Sequence, residues 1–153
     1  FIGGVSAPPA IYRRVKVANI TSIKTLSENT NEVVMAFQLQ YVDTADENAV
    51  KKVDVSTLAK SANGASCNSV SLLECWWIIQ GMTVMVEADA GTDVIMMHMA
   101  EDDIGYQDFS KFGGLPSTVE YGSTTGDIMF TTTGLGAAGD TYNIVLRMKK
   151  HYA

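Results

Sequence analysis

The segment between Gly134 and Gly139 carries the one formal fingerprint of cofactor chemistry in the sequence, GLGAAG, which fits G-x-G-x-x-G. In dinucleotide-binding proteins this pattern joins a strand to a helix, because the first N–H groups of the helix receive the pyrophosphate. Here residues 127–133 and 141–149 both alternate like strands. The pattern therefore predicts a hairpin loop, and the sequence predicts no bound cofactor.

Nucleophilic catalysis would need a Ser or Cys beside a His, and the sequence contains only two histidines, His98 and His151. His98 alternates with apolar residues, which predicts a position in the core or at an interface, and His151 lies in a basic stretch. Cys67 and Cys75 are eight positions apart without a C-x-x-C motif. We expect two buried thiols there, with a disulfide across a hairpin as the alternative. The sequence thus predicts no catalytic residues and no zinc site.

Acidic residues form three clusters in predicted turns: Asp43, Asp46 and Glu47; Asp89 and Asp93; and Glu101, Asp102 and Asp103. A glycosidase needs two carboxylates at a defined separation, and nothing in this spacing selects such a pair. The EF-hand pattern that binds calcium is also absent. We expect these acids to solvate turns and to protect strand edges, with no metal site. A weak divalent-cation site at residues 101–103 is the alternative.

The elements that would position these residues are strands, because apolar residues alternate with a period of two in four segments. Their apolar faces belong to residues 33–41, 82–88, 128–132 and 142–148. Further β-rich segments cover residues 12–24, 50–58 and 94–99, and residues 69–80 are predicted as mainly strand rather than a short helix. With turn signals between them, about seven strands predict an all-β fold, a single-domain antiparallel β-sandwich or jelly-roll-like domain.

Charge is distributed unevenly along the 153 residues, whose formal net charge is −6. Residues 1–27 hold four bases and no acid, and residues 141–153 hold three bases and no acid. The stretch between them holds all 17 acids against four bases, which is a net charge of −13. Because a nucleic-acid-binding domain is usually basic overall, we expect no nucleic-acid partner. The basic ends predict either solvated edge strands or contact with an acidic protein surface.

Residues 1–11 are predicted to form an extended N-terminal arm, because Pro8 and Pro9 favour extended backbone, and residues 12–153 are predicted to form the β-sandwich domain. No run of about 18 apolar residues occurs, so we expect no membrane partner. We expect partner contacts in the arm, in its basic continuation and in an aromatic loop. These partner-binding residues are Pro8, Pro9, Tyr12, Arg13, Arg14, Lys16, Phe109 and Phe112.

The aromatic loop combines large apolar side chains with two consecutive glycines. Phe109 and Phe112 come directly before Gly113 and Gly114, and Tyr106 lies just upstream. The spacing of these residues is too irregular to predict a strand. We expect the aromatic rings to plug the core, with a subunit interface as the alternative, because aromatic residues are enriched at interfaces.

The C-terminal half of the chain contains four distinctive runs: WIIQGMTVMVEADAGTDV (77–94), DFSKFGG (108–114), TGDIMFTT (125–132) and GDTYNIVL (139–146). In these runs the chain resembles small virion structural proteins of tailed bacteriophages. The runs lie within residues 76–150, about half the chain, and they are signatures of turns and strands. The resemblance implies a capsid decoration (cement) protein, which is commonly a trimeric β-sandwich or jelly-roll module without catalytic residues.

We therefore expect a non-enzymatic virion protein that binds the major capsid protein and stabilises the phage head as a homo-oligomer, preferably a trimer. It would lie on the capsid surface after synthesis in the cytoplasm of the bacterial host. Two alternatives remain: a head–tail junction or tail protein, and a small-ligand or carbohydrate-binding domain with an aromatic platform at Trp76, Trp77 or Tyr106. An enzyme is the weakest interpretation, because no set of residues supplies a nucleophile, a base and an oxyanion site.

Overall fold

The computed structural model describes residues 17–153, so the predicted arm (residues 1–11) and residues 12–16 lie outside the described residues. Nine strands form in the described part: β1 (Ile20–Glu28), β2 (Glu32–Gln40), β3 (Val50–Val53), β4 (Cys67–Gln80), β5 (Thr83–Ala88), β6 (Val94–Met99), β7 (Ile104–Asp108), β8 (Ile128–Thr133) and β9 (Thr141–Tyr152). The same residues form three 3-10 helices, Val55–Thr57, Ser110–Phe112 and Thr118–Tyr121. No helix in residues 17–153 is long and apolar enough to cross a membrane.

The strands form two antiparallel sheets, a five-stranded sheet of order β1-β2-β9-β4-β7 and a four-stranded sheet of order β3-β8-β5-β6. Strands β2 to β9 pair as β2 with β9, β3 with β8, β4 with β7 and β5 with β6. Strands β2 to β5 and strands β6 to β9 are therefore the two arms of one long antiparallel hairpin, and this hairpin wraps around the core. That is the topology of a jelly roll. This architecture confirms the predicted all-β, sandwich or jelly-roll-like fold.

The core lies between the sheets, where the inward positions of the alternating segments meet. The four predicted apolar faces are buried, apart from the half-buried Tyr41 at the end of one face. Three aromatic rings pack at the centre: the ring centroids of Phe37 and Phe130 are 5.1 Å apart, and those of Phe130 and Tyr142 are 5.7 Å apart. Such tilted contacts add to the stabilisation that comes from area burial.

Strand β4 confirms the prediction of mainly strand for residues 69–80 and forms the centre of the five-stranded sheet. The segment that follows β7 runs along the edge of the first half of β4, and Gly114 of this segment lies next to the side chains of Ser71 and Leu73, which are both buried. The N–H group of Phe109 donates to the carbonyl of Leu73 (2.7 Å), and that of Leu115 donates to Leu72 (2.9 Å). The second half of β4 is left uncovered on its outer side, where Trp76 and Ile78 are exposed.

One strand was not predicted, and one expectation about a connection is wrong. Residues 104–108 form strand β7 directly before the aromatic loop, and the apolar alternation there consists only of Ile104 and Tyr106, separated by Gly105. The loop at residues 134–139 is not a hairpin loop, because β8 belongs to the four-stranded sheet and β9 to the five-stranded sheet. The carboxylate of Asp140 accepts the N–H groups of Gly136 (3.0 Å) and Ala137 (2.9 Å) and so closes this crossing loop.

His98 is exposed on β6, so the prediction of a core position is wrong. A β-bulge causes the difference: Val86 pairs with Met97 and Glu87 pairs with Ile95, which leaves Met96 as an extra residue. The extra residue shifts the alternation by one position. Met96 is therefore buried, and His98 falls on the outer face.

Of the β-rich segment expected at residues 12–24, the structure describes residues 17–24, where strand β1 begins at Ile20 and continues to Glu28. Within the described residues, Asn19 explains where the strand begins. Its side chain accepts the N–H groups of Val42 (2.9 Å) and Thr44 (3.2 Å) and donates to the carbonyl of Thr44 (2.7 Å). These bonds tie the chain before β1 to the loop that follows β2.

Two lysine ammonium groups are buried, and each is paired with a carboxylate. Lys52 Nζ lies 2.6 Å from a carboxylate oxygen of Glu47, whose other oxygen accepts the hydroxyl of Tyr142 (2.8 Å). Lys150 Nζ donates to Glu28 (2.7 Å) and to two backbone carbonyls. Every buried side-chain nitrogen and oxygen atom in residues 17–153 has a hydrogen-bond partner. The interior thus meets the requirement that buried polar groups be paired.

Candidate docking surface

The outer face of the five-stranded sheet carries a group of apolar side chains that we call the apolar face: Trp76 and Ile78 on β4, Ile104 and Tyr106 on β7, and Val145 on β9. The exposed fraction is 77% for Ile104, 52% for Ile78 and 48% for Tyr106. All except Tyr106 line an open pocket of about 260 Å³, together with Trp77, Gly105 and Asn143. Contiguous exposed apolar side chains mark sites of interaction.

The strand register brings these side chains together. Trp76 lies opposite Tyr106 on β7 and opposite Val145 on β9, and Ile78 lies opposite Ile104. Residues that are directly opposite in an antiparallel pair share one face of the sheet. The ring centroids of Trp76 and Tyr106 are 5.3 Å apart, and the two ring planes are tilted by 32°. The result is a continuous apolar surface across three neighbouring strands.

A row of charged side chains borders the apolar face and holds Tyr106 in position. The Arg147 guanidinium binds both carboxylate oxygens of Glu32 (2.8 and 2.9 Å) and also binds Glu74, whose other oxygen accepts the hydroxyl of Tyr106. The hydrogen bond to Glu74 raises the pKa of Tyr106 to about 12, and those to Glu32 and Glu74 raise the pKa of Arg147. The row crosses β2, β9, β4 and β7, so it links the strands under the apolar face.

Gly105 lets β7 approach the buried indole of Trp77 on the inner side of the sheet. A Cβ atom at Gly105 would lie only 2.1 Å from Cζ2 of Trp77. The indole Nε1–H donates to a carboxylate oxygen of Asp103 (3.1 Å), and the N–H of Ile79 donates to the carbonyl of Asp103 (2.9 Å). The indole therefore covers an edge glycine and secures the start of β7.

The two edges of the five-stranded sheet are β7 and β1. Phe109 donates to Leu73 and Asp103 accepts from Ile79, so the odd-numbered positions of β7 bond to β4. Because hydrogen bonds alternate along an antiparallel pair, Ile104, Tyr106 and Asp108 present backbone N–H and C=O groups at an open edge. Open groups of this kind are a template for pairing with another chain.

Strand β1, at the opposite edge, is exposed on both faces except at the half-buried Glu28. Its exposed residues include Ile20 (60%), Ile23 and Leu26. The sheet therefore exposes apolar side chains at both of its edges as well as on its outer face.

Ser71 and His151 form a pair that the sequence did not reveal: Ser71 Oγ lies 2.8 Å from His151 Nε2. A His that accepts a Ser proton is the first requirement of nucleophilic catalysis. However, the Ser71 residue is only 4% exposed, and Gly114 of the covering segment lies next to its side chain. Burial also lowers the pKa of His151, which favours the neutral ring. The pair ties β4 to β9.

The other groups with potential chemistry are buried or bound locally. Cys67 and Cys75 are free, buried thiols, as predicted, and burial raises the pKa of Cys75 to about 12. Asp102 accepts the N–H of Gly81 (2.8 Å), and Asp103 accepts the indole of Trp77. Within residues 17–153 no three His, Cys, Asp or Glu side chains are grouped so that they could hold a metal ion.

Of the predicted partner-binding residues, the structure describes only Phe109 and Phe112. Phe109 is half-buried and packs against the core, whereas Phe112 is 70% exposed, and their ring centroids are 6.1 Å apart. The loop therefore both plugs the core and exposes one ring. The remaining predicted residues lie outside the described part of the chain: Pro8, Pro9, Tyr12, Arg13, Arg14 and Lys16.

Sequence reasoning named Trp76 and Tyr106 but missed Ile78, Ile104 and Val145 as members of the surface. One signal was available for Ile78, because Trp76, Trp77, Ile78 and Ile79 are consecutive. Both faces of that strand are therefore apolar, and a two-layer sandwich provides only one core. One of the two faces must lie outside the core, which is the position of Trp76 and Ile78.

Comparisons of the chain with protein-family models, with curated proteins and with solved structures find no match.

Proposed function

We propose that this chain is a non-enzymatic virion structural protein, a capsid decoration (cement) protein that binds the major capsid protein on the surface of the phage head as a homo-oligomer. The apolar face is the observation that carries the proposal, because it offers a protein partner a contiguous surface on a sheet. The resemblance of residues 76–150 to small virion proteins indicates the kind of partner. Jelly rolls are also a common architecture of viral capsid domains.

The energetics of the apolar face suit repeated docking. Covering exposed apolar surface contributes about 25 cal/mol per Å². Much of that gain is offset by the rotational and translational freedom that a docked protein loses. A small surface therefore binds modestly by itself, and several copies that engage one lattice together bind far more tightly. In a decoration protein that acts as an oligomer, each copy therefore needs no contact larger than the apolar face.

The test mixes the purified protein with undecorated heads of the source phage and measures co-sedimentation and the resistance of the heads to heat. We expect saturable binding and greater heat resistance. The double substitution Trp76→Ser with Ile78→Ser is expected to weaken binding about tenfold or more, because both side chains lie at the centre of the apolar face. Val119→Ser, which changes an exposed apolar residue elsewhere, is the matched control. Heads that bind none of the wild-type protein would refute the proposal.

Carbohydrate binding is the second candidate, and the pairing of Trp76 with Tyr106 favours it. Exposed aromatic faces are surfaces on which a sugar ring can pack, and Asn143 in the adjoining pocket could hydrogen-bond a hydroxyl group. A glycan array probed with the wild-type protein tests this function. Glycan binding that is lost in Trp76→Ala would support it, whereas silence of the array would set it aside.

A further inference from the structure

We propose that the β7 edge binds strand β1 of a second copy of this chain, so that the five-stranded sheet continues from one copy into the next. Both strands are edges of the same sheet, and both expose apolar side chains. The contact is head-to-tail, since one edge of each copy binds the opposite edge of its neighbour. It does not depend on the decoration function, because it is formed by this chain alone.

The two edges match in length and in the side chains that they present. The bulge between Thr25 and Ser27 leaves residues 20–25 as the regular part of β1, and β7 has five residues. Ile20 lies on the outer face of the sheet. The strand register places it opposite Gln40, Gln40 opposite Thr141, and Thr141 opposite Gln80. Gln80 is two positions after Ile78 on β4, so all of these side chains share the outer face with Ile78. A neighbouring β1 would therefore extend the apolar face with Ile20.

Charge favours this pairing over the pairing of two identical edges. Residues 101–110 around β7 contain four acids, Glu101, Asp102, Asp103 and Asp108, and no base. Strand β1 carries Lys24 and, at its last position, Glu28, which is paired with Lys150 of the same copy. Two β7 edges would bring acids together, and two β1 edges would bring no acid to Lys24 other than Glu28. Opposite charges meet only when β7 of one copy binds β1 of another.

The direction of the strands supports a closed ring. Four antiparallel pairings separate β1 from β7, so the two strands run in the same direction. If the copies are related by rotation about an axis parallel to the strands, every strand keeps its direction. Strand β7 of one copy then pairs in parallel with β1 of the next copy, with the start of β1 beside the start of β7. The acidic turn at residues 101–103 then lies on the side where β1 of the neighbouring copy begins. A head-to-tail contact forms a ring when its rotation closes.

The exposed side chains of the two edge strands supply area that the paired backbones alone lack. A stable interface usually buries about 800 Å² on each partner. Five paired residues fall short of that, so Ile104 and Tyr106 on β7 and Ile20 on β1 must also contact the neighbouring copy. Trp76 and Ile78 lie on β4, one strand behind the edge, and stay available to the capsid partner.

The test is a complementation of two edge variants, measured by sedimentation velocity in the absence of heads. Ile20→Lys blocks β1 and leaves β7 intact, and Ile104→Lys blocks β7 and leaves β1 intact. Both residues are largely exposed, so the folded monomer tolerates the change, which circular dichroism checks. We expect an oligomeric wild-type protein, two monomeric variants whose self-association is weaker by about tenfold or more, and a one-to-one dimer when the variants are mixed. Val119→Lys is the control and stays oligomeric.

Three results would overturn the pairing: a monomeric wild-type protein, an Ile20→Lys variant that self-associates like wild type, or a mixture that stays monomeric. The second result would indicate pairing of two β7 edges. These outcomes are separable from failure of the decoration function. An oligomeric protein that ignores heads refutes decoration alone. A monomer that binds heads refutes the pairing and the proposed oligomeric state and leaves binding to the capsid standing.

Discussion

Replacing Gly105 with Ala tests the close contact that holds β7 against the sheet. The new Cβ would lie 2.1 Å from Cζ2 and 2.2 Å from Cε2 of Trp77. Ordinary contacts between carbon atoms need about 3.5–4.0 Å, so the indole must retreat by about 1.5 Å. Trp77 is only 7% exposed, and close packing of the interior resists this displacement.

The expected loss of stability is about 3 kcal/mol. Overpacking of a core side chain costs about 1–3 kcal/mol. Displacement of the indole also breaks its hydrogen bond to Asp103, and bonds to charged groups contribute about 1.5–3 kcal/mol. Ala has a lower backbone entropy than Gly in the unfolded chain, which offsets about 0.4–1 kcal/mol of this loss of stability. The net effect is therefore clearly destabilising.

Urea unfolding followed by circular dichroism measures this effect. Gly91→Ala is the matched control, because a Cβ there meets nothing within 4 Å, and we expect a change within about 0.5 kcal/mol. Trp77→Phe should lower the free energy of unfolding by less in the Gly105→Ala variant than in the wild-type protein, because the smaller ring relieves the clash with the new Cβ. If Gly105→Ala is as stable as Gly91→Ala, the close approach of β7 to the indole is wrong.

Three further predictions concern buried polar groups. Glu47→Gln should lower the free energy of unfolding, measured in urea, by about 3–5 kcal/mol, because it leaves the buried Lys52 ammonium without a carboxylate. Glu47→Leu combined with Lys52→Met should lower it by less, because neither charge remains buried. Burial lowers the pKa of His151 below 6.5, so the unfolded state binds more protons than the folded state, and the melting temperature should fall as the pH drops below 6.5. His151→Asn should remove this part of the dependence of the melting temperature on pH, and an unchanged dependence would contradict the prediction. Burial raises the pKa of Cys75 to about 12, so at about pH 8 its thiol should resist alkylation in the folded protein and react in urea, and rapid labelling of the folded protein would contradict its burial.

The architecture could be predicted from the sequence because the alternating faces report directly which side of each strand meets the core. Residues 33–41 and 142–148 each place an apolar side chain at every second position, and both faces are buried apart from the half-buried Tyr41. Alternation does not report which strands are neighbours. The loop at residues 134–139 has the composition of a hairpin turn, yet it crosses between sheets. Strand pairing over long separations decides such connections.

The candidate site was harder to predict because long-range pairing assembles it. Trp76 and Tyr106 meet only because β4 and β7 pair in one register, and the strand that carries Tyr106 has five residues. Its central Gly105 resembles a loop residue in the sequence, whereas its role is to admit the indole of Trp77. The bulge that exposes His98 is likewise a property of pairing. Local patterns cannot report these features.

A jelly roll alone does not separate the two candidate functions, because capsid and lectin domains share this architecture. The chemistry of the apolar face favours a protein partner. A sugar presents hydroxyl groups that need convergent hydrogen-bond donors and acceptors, and most of the pocket beside Trp76 is lined by apolar side chains such as Ile78 and Ile104. Tyr106 has its hydroxyl group engaged by Glu74. A protein surface that offers apolar side chains satisfies this face more fully than a sugar would.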